Sequence, residues 1–139
     1  MLEKEAVEVE EPCRRIRVFL PGLYQELGVR ASPLIEKWSA IMGLDAPDWG
    51  IKRMKTKWGT CNIEGRRVWL NLELIKKPEP CLEYVIVHEL THFFERSHSD
   101  RFVAMMDRWL PQWRTLRAEL NSEPLSYEEW QSQDSQLSG

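Results

Sequence analysis

The chain has 139 residues, of which 42% are hydrophobic and 29% charged, and its formal net charge is -3. These values suit one globular domain with a modest core. They argue against a global positive field that would draw the chain to nucleic acid or an acidic membrane.

Cys13, Cys61 and Cys81 are odd in number and dispersed, with no CxxC pair. A disulfide framework is therefore not expected, and the pattern suits a reducing compartment. The N-terminus MLEKEAVEVEEP lacks an apolar signal core. No apolar run approaches the roughly 18 residues that a membrane span needs. The expected location is cytoplasmic, with no membrane partner.

Residues 1–12 read as a polar lead-in. Ile16, Phe19, Leu20, Leu23 and Leu27 recur at helical spacing, interrupted at Pro21 and Gly22, and Gly28 reads as the stop. A second helix is predicted in ASPLIEKWSAIMG, with Ser32 as N-cap, Pro33 in the first turn and Gly43 at the end. After the loop LDAPDWG, a strand is expected over IKRMKTKW, with a short one also possible at 48–51.

GTCN and a turn at Glu64 and Gly65 lead into the return strand VWLNLELI of an expected antiparallel hairpin, packed on the helix that follows, where Val68, Leu70, Leu72 and Leu74 alternate with Trp69, Asn71 and Glu73. KKPEP opens a helix over about 79–96 that is apolar on nearly all sides and therefore central. Helices over 100–110 and WRTLRAEL follow. Residues 122–139 are rich in Ser, Gln and Glu and read as a flexible tail, in which Ser126 and Glu129 could cap one helical turn. The expected class is α+β, with the functional domain at 13–121.

All three histidines lie in VHELTHFFERSH, residues 87–98. His88 and His92 are four residues apart, which on a helix is about 40° around the axis and about 6 Å along it. Their imidazoles can converge on one ion. Glu89, about 100° around, can reach a water on that ion without ligating it. This is the chemistry of H-E-x-x-H, in which two neutral nitrogens hold Zn²⁺ and the glutamate takes a proton. Chance occurrence of the pattern is the bland reading. Against it, three polar groups inside so apolar a helix are costly unless something satisfies them.

A catalytic zinc wants a third protein ligand. On a continued helix His98 would face away, about 240° around from His92, so its use requires the helix to end first. No glycine lies between Gly65 and Gly139. The turn is therefore expected at Arg96 and Ser97, with Ser97 or Ser99 capping the next helix and Asp100 in its first turn. Glu95, on the His88–His92 face, is the rival third ligand or an orienting partner.

KTKWGTCN, VWLNLELI and YVIVHELTHFFERSHSDRF together resemble the YgjP-like metallopeptidase family, which is related to WLM and SprT-type proteins. Thr60 stands where that family usually has serine, Thr91 where it has alanine, and Ser97 where asparagine is common. The resemblance spans about residues 30–118. It implies a zincin-like fold, zinc on His88, His92 and His98, Glu89 as general base, and the WGTC strand beside the cleft. SprT relatives act on DNA-bound proteins, but no zinc ribbon is present to carry that role over, and nucleic acid is only weakly supported as a partner.

Other residues carry weaker signals. Cys61 reads as a small packed group, with inhibitory ligation or redox chemistry as its functional alternatives. Trp58 and Gly59 read as a close backbone approach, with pairing of an extended peptide to an exposed edge as the functional alternative. Tyr84 reads as core, with donation to an oxyanion as the alternative. The basic run IKRMKTK, with Arg66 and Arg67, reads as a solvated face or a phosphate contact. The functional expectation is zinc-dependent hydrolysis of a protein or peptide. Hydrolysis of a nucleotide phosphoanhydride and a non-catalytic module with a structural zinc are the alternatives.

Overall fold

The computed structural model describes residues 22–123, together with the backbone of two short strands before them. Those strands, β1 (Ala6–Glu8) and β2 (Arg17–Phe19), pair antiparallel with Val7 opposite Val18. β1 lies inside the expected lead-in, and β2 lies where a helix was expected. The sequence around each does alternate apolar and polar residues (AVEVE and RIRVF), and that two-residue period prevails over a sparse helical one.

The first helix, α1 (Leu23–Met42), runs unbroken through Gly28 and Pro33. This overturns both the stop at Gly28 and the cap at Ser32. A glycine and a proline inside a helix cost about 1 and about 3 kcal/mol. One continuous buried face outweighs them: Leu27, Gly28, Ala31, Leu34, Ile35, Trp38 and Met42 all pack inward. Pro33 is exposed, on the side where a helix bends most easily. Gly43 ends α1 as expected, in the left-handed conformation, with Leu44 N–H donating to Ser39 O at 2.8 Å.

Three strands follow, β3 (Asp48–Lys52), β4 (Gly59–Asn62) and β5 (Arg67–Asn71). They form a sheet in the order β3-β5-β4, with β3 parallel and β4 antiparallel to β5. The hairpin is thus β4–β5, turning through Glu64 and Gly65 as expected. The strand expected over 51–58 is displaced to 48–52.

Asn71 accounts for that displacement. Its fully buried amide donates to Met54 O and Lys57 O at 2.8 and 2.7 Å, holding 53–58 as a bend. The same side chain accepts from Glu73 N–H at 3.0 Å and caps a 3-10 turn, Leu72–Lys76, which ends β5 sooner than its leucine alternation predicts.

Three more helices complete the fold, α2 (Glu79–Thr91), α3 (Asp100–Trp109) and α4 (Trp113–Asn121). α2 is buried from Tyr84 through Thr91, the central position its all-round apolarity requires. α1 is tied to it by Trp38 Nε1 donating to Glu83 at 2.7 Å, and Arg30 reaches the carbonyls of Ile75 and Lys77 just before it. The inner face of the sheet (Ile51, Val68, Leu70) joins the same core. Among the described residues no helix is long and apolar enough to cross a membrane. The tail beyond 123, with Ser126 and Glu129, lies outside the described residues.

Candidate metal centre

α2 carries His88, Glu89 and His92, all less than a tenth exposed. The helix ends at Thr91, earlier than expected, and His92 is its C-cap. The next turn tightens: Phe93 N–H and Phe94 N–H donate to the carbonyls three residues back, at 3.0 and 2.9 Å. The chain then runs to Ser99, whose hydroxyl accepts from Phe102 N–H at 3.3 Å and caps α3. Arg66 is the one described non-glycine residue with positive φ, so the return of His98 needs no left-handed residue. A hydrogen-bonded turn covers 92–94, and the chain then bends at Arg96 and Ser97, where the change of direction was expected. Of the two expected caps, Ser99 is the one used.

This path brings the three imidazoles together. The His98 ring centroid lies 5.1 Å from that of His88 and 4.6 Å from that of His92. One nitrogen from each of the three comes within 4.8 Å of the others. Glu95 is not brought in. Its carboxylate accepts from Ser97 Oγ and Arg101, while its backbone carbonyl accepts from His92 Nδ1 at 3.2 Å. That bond leaves His92 Nε2 with a free lone pair. Phe102 lies 4.7–5.1 Å from all three rings and forms an apolar floor beneath them. The sequence shows it only as one more apolar position of α3.

The environment keeps these groups neutral. Burial first, then the neighbouring His92, His98 and Arg117, hold His88 well below the usual imidazole range. Burial also lowers His92, and burial with His92 and Arg117 brings His98 down to about 4. Among the described residues, His88 Nδ1 and His98 Nε2 are buried with no hydrogen-bond partner. Three neutral imidazoles with unspent lone pairs are what a metal ion requires, and an ion would satisfy the orphaned nitrogens. The residues present therefore fit a metal.

Glu89 lies between the histidines and β4, with its Oε2 3.6 Å from His88 Nδ1. Gly59 packs directly on it: a methyl group at Gly59 would lie 3.2 Å from Glu89 Oε2. Burial pushes the Glu89 carboxyl up to about 8, against the opposing pull of Lys57. Between β4 and α2 lies a cavity of about 380 Å³, lined among others by Lys57, Cys61, Glu64, Glu89, His92 and Arg96. Arg96 pairs with Glu64 at 2.8 Å, and the Arg66 guanidinium sits over Phe93. Both contacts clamp the β4–β5 turn to the segment that carries His98.

Cys61 lines this cavity. Burial, followed by the nearby Glu89, pushes its thiol up to about 12, so it stays protonated and behaves as a packing group. Tyr84 is buried and stacked on Trp113, with ring planes 6° apart, as a core residue. Arg117 and Lys57, the two cations that act on the histidines and on Glu89, come from α4 and from the bend before β4. Sequence spacing does not single out either one.

Comparison with known proteins agrees with this architecture. A crystal structure of the metallopeptidase zymogen of Methanocaldococcus jannaschii jannalysin superimposes with a TM-score of 0.61. The match covers 68% of this chain and 89% of that one at 18% identity, and so shows a shared fold. No curated protein matches the chain. Residues 2–123, most of the chain, match the family described as YgjP-like, metallopeptidase domain. The chain belongs to the YgjP-like metallopeptidase family.

Proposed function

We propose that this chain is a zinc-dependent peptidase in which His88, His92 and His98 hold the metal and Glu89 is the general base. The observation that carries the proposal is the pairing of two features. Three neutral imidazoles, two buried and one half-buried, converge within 4.8 Å, and a buried carboxylate beside the first of them lines a cavity beneath an edge strand. Among the described residues no fourth histidine, cysteine or carboxylate joins the cluster. Three protein ligands with an open position suit a catalytic zinc and count against a closed structural one.

Zinc, when bound, supplies a Lewis acid that polarises the scissile carbonyl and acidifies the attacking water. This chain's own groups do the rest. Glu89 accepts the proton of the attacking water and passes it to the leaving amine. Its raised proton affinity suits both halves of that task, because a base poised near neutral pH can also act as an acid. β4 is an edge of the sheet and offers backbone groups to an extended peptide laid along the cavity. Phe102 excludes water from the far side of the histidines.

The phosphoanhydride reading draws less support. In the basic run, Lys52 lies over Trp69 and Arg53 pairs with Glu73, both away from the cavity, and Lys57 lines it.

The test is Glu89→Gln in zinc-loaded protein, assayed on casein and on nucleotides. Peptidase activity is expected to fall by about 10²–10⁴-fold with zinc content intact. Full activity in the variant would sink the mechanism, and turnover of nucleotides alone would replace the substrate class.

A further inference from the structure

The charges lining the cavity are Lys57, Glu64, Glu89 and Arg96. Glu64 and Arg96 satisfy one another at 2.8 Å. Glu89 is buried beneath Gly59. Lys57 is half-buried and has no ion-pair partner among the described residues, yet it is the one charge whose field reaches Glu89. An ammonium that lines a cavity without a counter-ion can give a charge-assisted hydrogen bond to an anion that enters it.

The backbone beneath this lysine is fixed in two places. Lys57 O accepts from the fully buried Asn71 amide at 2.7 Å, and Asn71 N–H donates to Trp58 O at 3.0 Å. The residue is thus held on rigid structure, as a recognition element needs to be.

We propose that Lys57 anchors a carboxylate-binding subsite at the head of β4, selecting peptides with an acidic side chain or a free C-terminal carboxylate close to the cleaved bond. Lys57 stands two residues before Gly59, the first residue of β4, and lines the same cavity as Glu89. A peptide lying along β4 with its scissile bond at Glu89 therefore brings a group one or two residues away to the ammonium. The subsite rests on the peptidase reading for its substrate class, and binding measurements separate the two.

The test uses three quenched fluorescent peptides of one sequence. One has Glu near the cleaved bond and an amidated end, one has Gln there and an amidated end, and one has Gln and a free carboxylate. Wild type is expected to prefer one or both carboxylate peptides by about tenfold in kcat/KM, a charge-assisted hydrogen bond's worth. Which of the two is preferred tells a side-chain subsite from a C-terminal one. In Lys57→Gln the ratio should fall to about one, mainly through KM, and Lys57→Arg should restore it. Equilibrium binding of the same peptides to Glu89→Gln protein should rank them alike. A preference that persists in Lys57→Gln, or an equal loss for all three peptides, overturns the subsite. If wild type cleaves none of them, the peptidase reading fails and the binding ranks still decide the subsite.

Discussion

Gly59→Ala tests how closely the sheet must approach α2, which carries Glu89. The added methyl would sit 2.9 Å from Val85 Cγ1 and 3.2 Å from Glu89 Cγ and Oε2, where carbon atoms prefer about 3.5–4.0 Å. Val85 is fully buried and cannot turn away without displacing the core, so the strand must lift. Overpacking of this kind costs about 1–3 kcal/mol. The stiffer unfolded chain of an alanine variant returns about 0.4–1 kcal/mol. The net loss is about 1–2 kcal/mol, a fall in Tm of about 4–10 °C for a domain of this size.

Urea unfolding with an unchanged m-value measures that loss. Repeating it in a Val85→Ala background removes the hardest contact, so Gly59→Ala should cost about 1 kcal/mol less there. Activity should fall in the single variant while zinc binding holds, because the pressure falls on Glu89 and not on the histidines. Strict additivity of the two substitutions, or a Gly59→Ala protein as stable and active as wild type, would refute the reasoning.

Three further outcomes follow from the site. His98→Ala should weaken zinc by more than about a hundredfold, a loss beyond that typical of an outer partner, while Glu95→Gln leaves it within a few-fold; chelator competition measures both. Ser99→Ala removes the α3 cap next to His98 and should cost about 1 kcal/mol in urea unfolding, with Ser99→Asp retaining most of it. The metal-free protein should respond to pH through two opposed groups. Glu89, raised from 4.5 to about 8, contributes stability that is full below pH 4.5 and is lost as pH rises toward 8. The histidines, lowered from 6.5, favour the fold above pH 6.5 and withdraw that support as pH falls toward 4. Between pH 6.5 and 8 Glu89 acts alone, so stability should decline there by at most about 1.4 kcal/mol per pH unit. Glu89→Gln should remove the decline, and a slope unchanged in that variant would contradict the assignment.

What the sequence disclosed, and what it did not, follows from the range of the interactions. α2 was legible because it is apolar on nearly all sides and its two histidines are spaced by one helical turn, both properties of a local window. The β4–β5 hairpin was legible from its turn residues. Pro33 misled because its local cost is real, while the long buried face that overrides it is tertiary. β5 was overextended because Asn71, a single side chain, intercepts the ladder and redirects it. Lys57 and Arg117 belong to the site through space alone. Each adjoins a core residue, Trp58 or Leu116, and no spacing rule connects residue 57 or 117 with residue 89.

The missing glycine has a physical explanation that bears on the ligands themselves. A helix that runs past its second histidine needs a left-handed residue to turn the chain back toward the metal. Here α2 stops at the second histidine, and one tightened turn followed by irregular chain covers the distance without a positive φ. The carbonyl of Glu95 is left without a helical donor at that point, and His92 Nδ1–H supplies one. A single hydrogen bond therefore satisfies a carbonyl just beyond the helix, fixes the tautomer of His92, and sets the start of the segment that returns His98. Residue 95 has no positive φ and so needs no glycine; it contributes through its backbone, and its carboxylate holds Arg101 at the base of α3.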